Sequence, residues 1–328
     1  MLTYGIEKII MGQNSSKDYG FLDKIQNQSF SPIFILGLHR SGTSILYRTL
    51  GDTKRFNILT AYHIFYYDSL VYNYLNQIEK TKKDELNNLF RSKGITTRKT
   101  DNILVSSDYA YEYMYIFLNQ KYPFKITKKN KPLFDEIYNK LKFISNNEYP
   151  ILLKNPYDFS NFIFIKNIFP NARFIFIHRN PLWIISSTMR LYKSIYKNKN
   201  EYLAIFSKKY KQSYDNKPSL LLNRLFYCSY FPPGVFEVIH SCSKNLNYYL
   251  KNISKLSNND YISIKYEDFC KEPYTEISKI MKYLNLEYEI DIKNPIAQRN
   301  LDLVPEVEFL KEYIYKKMEG YLQYFDYK

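Results

Sequence analysis

Cysteine is scarce in this chain: three residues in 328, at Cys228, Cys242 and Cys270. Three scattered cysteines exclude a disulfide framework and a cysteine-ligated zinc site. The four histidines show no metal-ligand spacing either, so no metal is expected. No apolar run approaches the roughly 18 residues of a membrane span. Residues 1–30 lack a basic stretch followed by an apolar one, so no signal peptide is expected. No long Lys/Arg run or nucleic-acid motif occurs, and no nucleic-acid partner is expected. These absences lead to the expectation of a cytoplasmic protein, with peripheral membrane association left open and the oligomeric state undetermined.

What the chain does have is a globular balance, 45% hydrophobic and 24% charged residues, with 35 tyrosines, 23 phenylalanines and a net charge of +15. Two readings of that charge stand side by side. One is compositional bias on a solvated surface. The other is a basic cleft for a polyanionic cofactor or an acidic acceptor.

The stretch PIFILGLHRSGTSILYRTL, residues 32–50, is the most informative. An apolar β-rich run ends at Gly37, Gly42 follows five residues later, and an apolar helical pattern begins after Thr43 and Ser44. Strand, tight loop and helix start is how a backbone holds a phosphate, through loop N–H groups and the helix dipole. The spacing nearly matches a nucleotide P-loop ending G-K-[ST], but Thr43 stands where the lysine would be and the basic residue is Arg40, inside the loop. A P-loop kinase or nucleotide hydrolase is the alternative reading. It is disfavoured by that change and by the lack of a magnesium carboxylate after a strand.

Two further segments converge with the loop. In ARFIFIHRNPLWIISSTMR a buried strand ends at His178, Arg179 follows, and Ser187 lies within the next helix, so guanidinium and hydroxyl can close on one phosphate. In IKYEDFCKEP a strand ends in Tyr266-Glu267-Asp268. Here the chain resembles the sulfotransferases that use 3′-phosphoadenosine-5′-phosphosulfate (PAPS). GLHRSGTS resembles their 5′-phosphosulfate loop, HRNPLWIISS their 3′-phosphate motif, and IKYEDFCKEP the segment whose Tyr lies near the adenine. LLKNPYDF resembles their K-x-P segment, and TDNILVSSDYAYEYMYIF an acceptor-side segment carrying D-x-P-x-E, here with Ala110 in place of the proline. Where many bacterial relatives have a histidine after K-x-P, this chain has Asp158.

The resemblance implies a three-layer α/β/α fold of the P-loop type with a mostly parallel sheet, and transfer of a sulfuryl group from PAPS to a hydroxyl or amine of a small-molecule or glycan acceptor. His39, Arg40, Ser41, Gly42, Thr43, Ser44, Arg179, Ser187 and Tyr266 are the expected cofactor residues. Arg40 and Lys154 are the expected catalytic cations, since protein cations can offset charge on the leaving phosphate. His63 is the expected general base on residue chemistry and position, with Asp158 and Glu112 as rivals. A non-catalytic nucleotide- or glycan-binding relative is the reading from another class.

Along the chain, residues 1–30 read as a peripheral segment before a single domain over 31–328, with a variable insertion at about 80–130. Helices are expected over 61–79, 132–145, 158–168, 181–191, 234–256, 273–284 and 305–325, and buried strands at 33–36, 151–154, 173–178 and 261–266. The charged stretch 80–100 reads as a surface excursion, and 195–232 has no clear assignment.

Overall fold

In the computed structural model, residues 16–25, 30–98, 103–145, 148–287 and 302–327 are described. Most of the N-terminal segment expected to be peripheral (1–15 and 26–29), and the first residues of the acceptor-side segment (100–102), lie outside them.

The apolar runs become strands because both faces are covered. β1 (Ile33–Leu36) is followed by α1 (Thr43–Asp52) and the short β2 (Asn57–Ile58). Next come α2 (Ala61–Phe65), α3 (Leu70–Leu75), α4 (Glu79–Ser92), the hairpin β3 (Thr97–Arg98) and β4 (Ile103–Leu104), α5 (Met114–Asn119) and α6 (Lys131–Ile144). β5 (Ile151–Lys154), α7 (Phe162–Ile168), β6 (Arg173–His178) and α8 (Pro181–Lys197) form the middle of the chain. Three helices follow, α9 (Glu201–Phe206), α10 (Lys208–Asp215) and α11 (Lys217–Cys228), then α12 (Gly234–Asn252) and β7 (Tyr261–Lys265). The chain continues through α13 (Tyr266–Lys271), α14 (Pro273–Leu284), α15 (Pro305–Phe309), α16 (Lys311–Lys317) and α17 (Glu319–Tyr324).

The main sheet is all parallel, in the order β2-β5-β1-β6-β7. Alternate side chains feed two separate cores, as the two-residue period of a strand requires. Phe34, Leu36, Leu153, Phe174 and Phe176 enter the larger core, while Ile33, Ile35, Leu152, Ile175 and Ile177 enter the other. Helices cover both faces, which is why these strands read as unbroken apolar runs. The expected three-layer α/β/α architecture is present. β1 is central, and the chain turns to opposite sides of it, so the carboxyl ends of β1, β5 and β6 define a crevice of the kind in which such sheets bind ligands.

Four stretches differ from expectation. Residues 61–79 form two short helices around a 3-10 turn. The buried Lys140 ammonium takes the Tyr67 carbonyl at 2.8 Å, and Asp18, 3.0 Å from Lys140, accepts from the Tyr72 N–H. These bonds divert the backbone groups that a continuous helix would need. The charged stretch after residue 79 is a helix, because Leu86 and Phe90, four residues apart, are buried against the core. The unassigned region contains α9, α10 and α11, each started by a side-chain cap: Asn200, Ser207 and Asn216 accept from the N–H groups of Leu203, Tyr210 and Ser219. The C-terminal segment is also three short helices rather than one.

Candidate active site

The loop after β1 is shaped by two residues in the left-handed region, Arg40 at φ 72° and Gly42 at φ 100°. Gly42 has no alternative, because a Cβ there would sit 2.3 Å from the Tyr266 ring as well as on a strained backbone. Gly37 is held as closely: its Cβ would meet the Ile177 carbonyl at 2.6 Å. The loop therefore lies flat on the ends of β6 and β7, and its chain enters α1 directly at Thr43.

One cluster forms behind this loop. Arg179, just past β6, donates from Nη1 to the Arg40 carbonyl at 2.9 Å, and its guanidinium stacks 4.3 Å from the centre of the Tyr266 ring. Arg40 Nε donates to Ser187 Oγ at 2.9 Å. Ser187 is placed by α8, which is started by Pro181 and by the Asn180 side chain accepting from the Leu182 N–H. Sequence reasoning put Arg179 and Ser187 on one phosphate and Arg40 on another. The structure links all three, with Arg40 between the other two.

A second cluster lies at the end of β5, which pairs with β1 so that Lys154 stands beside Ile35. Lys154 is only 1% exposed. Its ammonium donates to Ser44 Oγ at 2.8 Å and to Glu112 Oε1 at 2.5 Å. Glu112 arrives there because residues 107–111 run alongside 59–62, with Tyr62 N–H bonded to the Ser107 carbonyl, Ala61 N–H to Tyr109 and Tyr111 N–H to Leu59. Burial pushes the Glu112 carboxyl up, but the Lys154 and Arg98 charges outweigh it and hold its pKa below the ordinary value. The second carboxylate oxygen, Oε2, is buried without a hydrogen-bond partner.

Both clusters border a cavity of about 430 Å³. Its wall carries His39, Arg40, Thr43, Ser44, Arg98 and Glu112 together with the aromatic rings of Tyr115, Tyr157, Tyr192 and Tyr202. Lys154 lies beneath the wall, bonded to Ser44 and Glu112. Ser41, Gly42, Arg179, Ser187 and Tyr266 lie behind Arg40, off the cavity wall. Ser41 Oγ and Arg179 Nε are buried without hydrogen-bond partners. His39 packs edge-on against Tyr157.

His63, the expected base, lies outside the wall of this cavity. It is buried at the start of α2, outside the cavity wall, where its Nδ1 accepts from the Thr60 N–H at 2.9 Å in a capping box. Burial, with the Lys83 charge nearby, pushes its pKa down to about 3. Its geometry is that of a helix cap rather than a base. Asp158, the first rival, is likewise committed: its oxygens accept from Tyr113, Asn155, Asn161 and the Ile126 N–H. His178 bonds Tyr321 and stacks on Phe325 within the core. Arg98 was missed. It stands in a charged run that reads as solvated surface, and only the β3–β4 pairing turns it inward over Tyr109. Among the described residues no group of three or more His, Cys, Asp or Glu converges as a metal site.

The sulfotransferase family model matches residues 32–231, more than half the chain, and the protein belongs to the sulfotransferase family. Two solved structures share its fold. Sulfotransferase STF9 from Mycobacterium avium aligns over 100% of this chain and 85% of its own, with TM-score 0.67 and 12% identity. Sulfotransferase STF1 from Mycobacterium tuberculosis aligns over 97% of this chain and 84% of its own, with TM-score 0.60 and 13% identity. No curated protein matches in sequence.

Proposed function

We propose that this sulfotransferase uses PAPS as donor and sulfates a hydroxyl or amine of a small-molecule or glycan acceptor, with Glu112 as the general base. The observation that carries this reading is the Ser44–Lys154–Glu112 chain at the foot of a cavity whose rim is the Arg40 loop. When bound, PAPS supplies the sulfuryl group and leaves as adenosine 3′,5′-bisphosphate. The residues fit such a ligand: Ser41 Oγ and Arg179 Nε are buried polar atoms with hydrogen-bonding capacity to spare, and the Tyr266 ring beneath the Arg179 guanidinium holds it in place.

In this reading the loop N–H groups, Arg40, Arg179 and Ser187 hold the phosphates, and Lys154 offsets negative charge on the leaving oxygen. Glu112 Oε2 takes the acceptor's proton. The two tasks reinforce each other. An anion beside Lys154 draws the ammonium charge away from Glu112 and raises the carboxylate's affinity for a proton. Protonation of Glu112 in turn frees Lys154 to serve the leaving oxygen. His39 and Tyr157 pack together in the cavity wall, and the tyrosines of that wall receive the body of the acceptor.

Transfer of labelled sulfuryl from PAPS to acceptor pools tests the reading. Adenosine 3′,5′-bisphosphate should stabilise the fold by about 2.7 kcal/mol at a hundredfold excess over its Kd. ATP should do so far less, having no 3′-phosphate for Arg179. Magnesium-dependent ATP binding would favour a kinase or nucleotide hydrolase instead. Bisphosphate binding without transfer to any acceptor would favour a non-catalytic binding relative.

A further inference from the structure

The helix α11 is apolar on the face it turns to solvent. Leu221, Leu222 and Leu225 are 59%, 67% and 57% exposed, and Phe226 adjoins them at 39%. The spacing i, i+1, i+4, i+5 places the four on one stripe of the helix. The opposite flank is already occupied: Tyr227 is buried, its ring stacked on Tyr196 and close to Tyr192 of α8. Among the described residues the stripe stays open to solvent. It continues past the helix into Tyr230, fully exposed, and into a cluster in which the Phe231 ring meets Phe236 and Phe309. A contiguous exposed apolar surface of this kind marks an interaction site.

Charge identifies the occupant. Between residues 208 and 231 the basic residues are Lys208, Lys209, Lys211, Lys217 and Arg224, and the one acid is Asp215. Lys217, with Lys211 before it, lies exposed beside the apolar stripe, while Arg224, seven residues on, donates to the Tyr196 and Lys197 carbonyls at the end of α8. A second copy of the same surface would bring like charges together. An anionic bilayer offers acyl chains for the leucines and phosphate headgroups for the cations.

We propose that α11 and the aromatic turn after it dock this protein onto an anionic membrane surface, with the leucine stripe inserted at the headgroup boundary. The consequence for the site is direct. Tyr227, on the same helix, donates to Glu237 Oε2 at 2.6 Å, and Glu237 belongs to the cavity wall. The helix that carries the docked face is thus tied to the cavity wall from its opposite, buried flank, which suits an acceptor presented at the lipid surface. Docking itself stands whether or not the PAPS reading holds, because it is read by vesicle binding.

The test is cosedimentation of the full chain with vesicles of equal phosphatidylglycerol and phosphatidylcholine, against phosphatidylcholine alone. Binding to the anionic vesicles should exceed that to neutral ones and weaken with salt. The triple variant Leu221→Ser/Leu222→Ser/Leu225→Ser should lose about tenfold or more in vesicle affinity. Lys211→Glu/Lys217→Glu should lose most of the preference for anionic lipid. The single variant Leu222→Asp, at the most exposed leucine of the stripe, serves if the triple variant melts early. Failure of the wild type to bind anionic vesicles would overturn the proposal, as would unchanged binding by a folded Leu222→Asp protein. So would a dimer in sedimentation velocity that the leucine variants dissociate, since the stripe would then be a self-association surface.

Discussion

Two buried carboxylates, Asp158 and Glu112, have opposite fates. Asp158 is saturated: the hydroxyl of Tyr113, the amides of Asn155 and Asn161 and the Ile126 N–H take up both its oxygens. All four donors are neutral, so burial still outweighs them and pushes its pKa up to about 6. Glu112 has one cationic partner, the Lys154 ammonium, and a second cation, Arg98, in its field; together they hold its pKa down against burial. Its Oε2 has no partner. Burial alone does not mark a catalytic acid or base. A carboxylate with all its lone pairs bound to neutral donors ties loops together, whereas one held by a cation through a single oxygen keeps the other for a ligand.

Substitutions that separate charge from structure sharpen this contrast. The largest effect is expected at Lys154→Met, which keeps the side chain's length and removes the charge. Turnover should fall by about 10²–10³-fold while bisphosphate affinity changes less, because the charge matters most as the leaving oxygen becomes negative. Steady-state kinetics and calorimetric titration with the bisphosphate separate the two. Arg179→Ala comes next, removing a charge-assisted contact worth roughly 1.5–3 kcal/mol, or about 10–100-fold in bisphosphate Kd. A folded Arg179→Ala protein with unchanged Kd would remove that residue from the donor site.

Asp158→Asn should act on the other side of the comparison. An amide placed against donor groups loses acceptor capacity in a buried network, costing about 2 kcal/mol and lowering Tm by several degrees. The folded fraction should keep its turnover. The smallest effect is expected at His63→Ala. Loss of the Thr60–His63 capping box should cost about 1 kcal/mol in a denaturant melt and leave turnover near wild type. A large loss of turnover in a folded His63→Ala protein would restore that histidine as the base.

The parts of this site carried by short contiguous patterns are legible in the sequence. The Gly37–Gly42 spacing announces the loop, because a Cβ at either glycine has no room, and the strand-then-helix segment around Arg179 announces the arginine that meets the Arg40 carbonyl. The sheet follows from the same kind of signal, since strands covered on both faces show as unbroken apolar runs. The Lys154–Glu112 contact is harder to read. Glu112 reaches Lys154 through the bridge pairing Thr60 with Ala110, a contact between distant segments that no local period encodes. His63 has suitable chemistry, but its Nδ1 is taken by its own helix start. In 195–232 the caps Asn200, Ser207 and Asn216 were visible as residue types, yet the Lys/Tyr-rich composition around them hid the helices they begin.

The most direct test of the central claim is a single-turnover measurement of labelled sulfuryl transfer, at saturating PAPS, for Glu112→Gln beside Asp158→Asn. Glu112→Gln keeps the side chain's shape and removes its proton-accepting oxygen; the account expects a rate about 10²–10⁴-fold below wild type with bisphosphate affinity nearly intact. Asp158→Asn should transfer at close to the wild-type rate per folded molecule. A Glu112→Gln enzyme that transfers at the wild-type rate, or an Asp158→Asn enzyme that is folded and inactive, would contradict it.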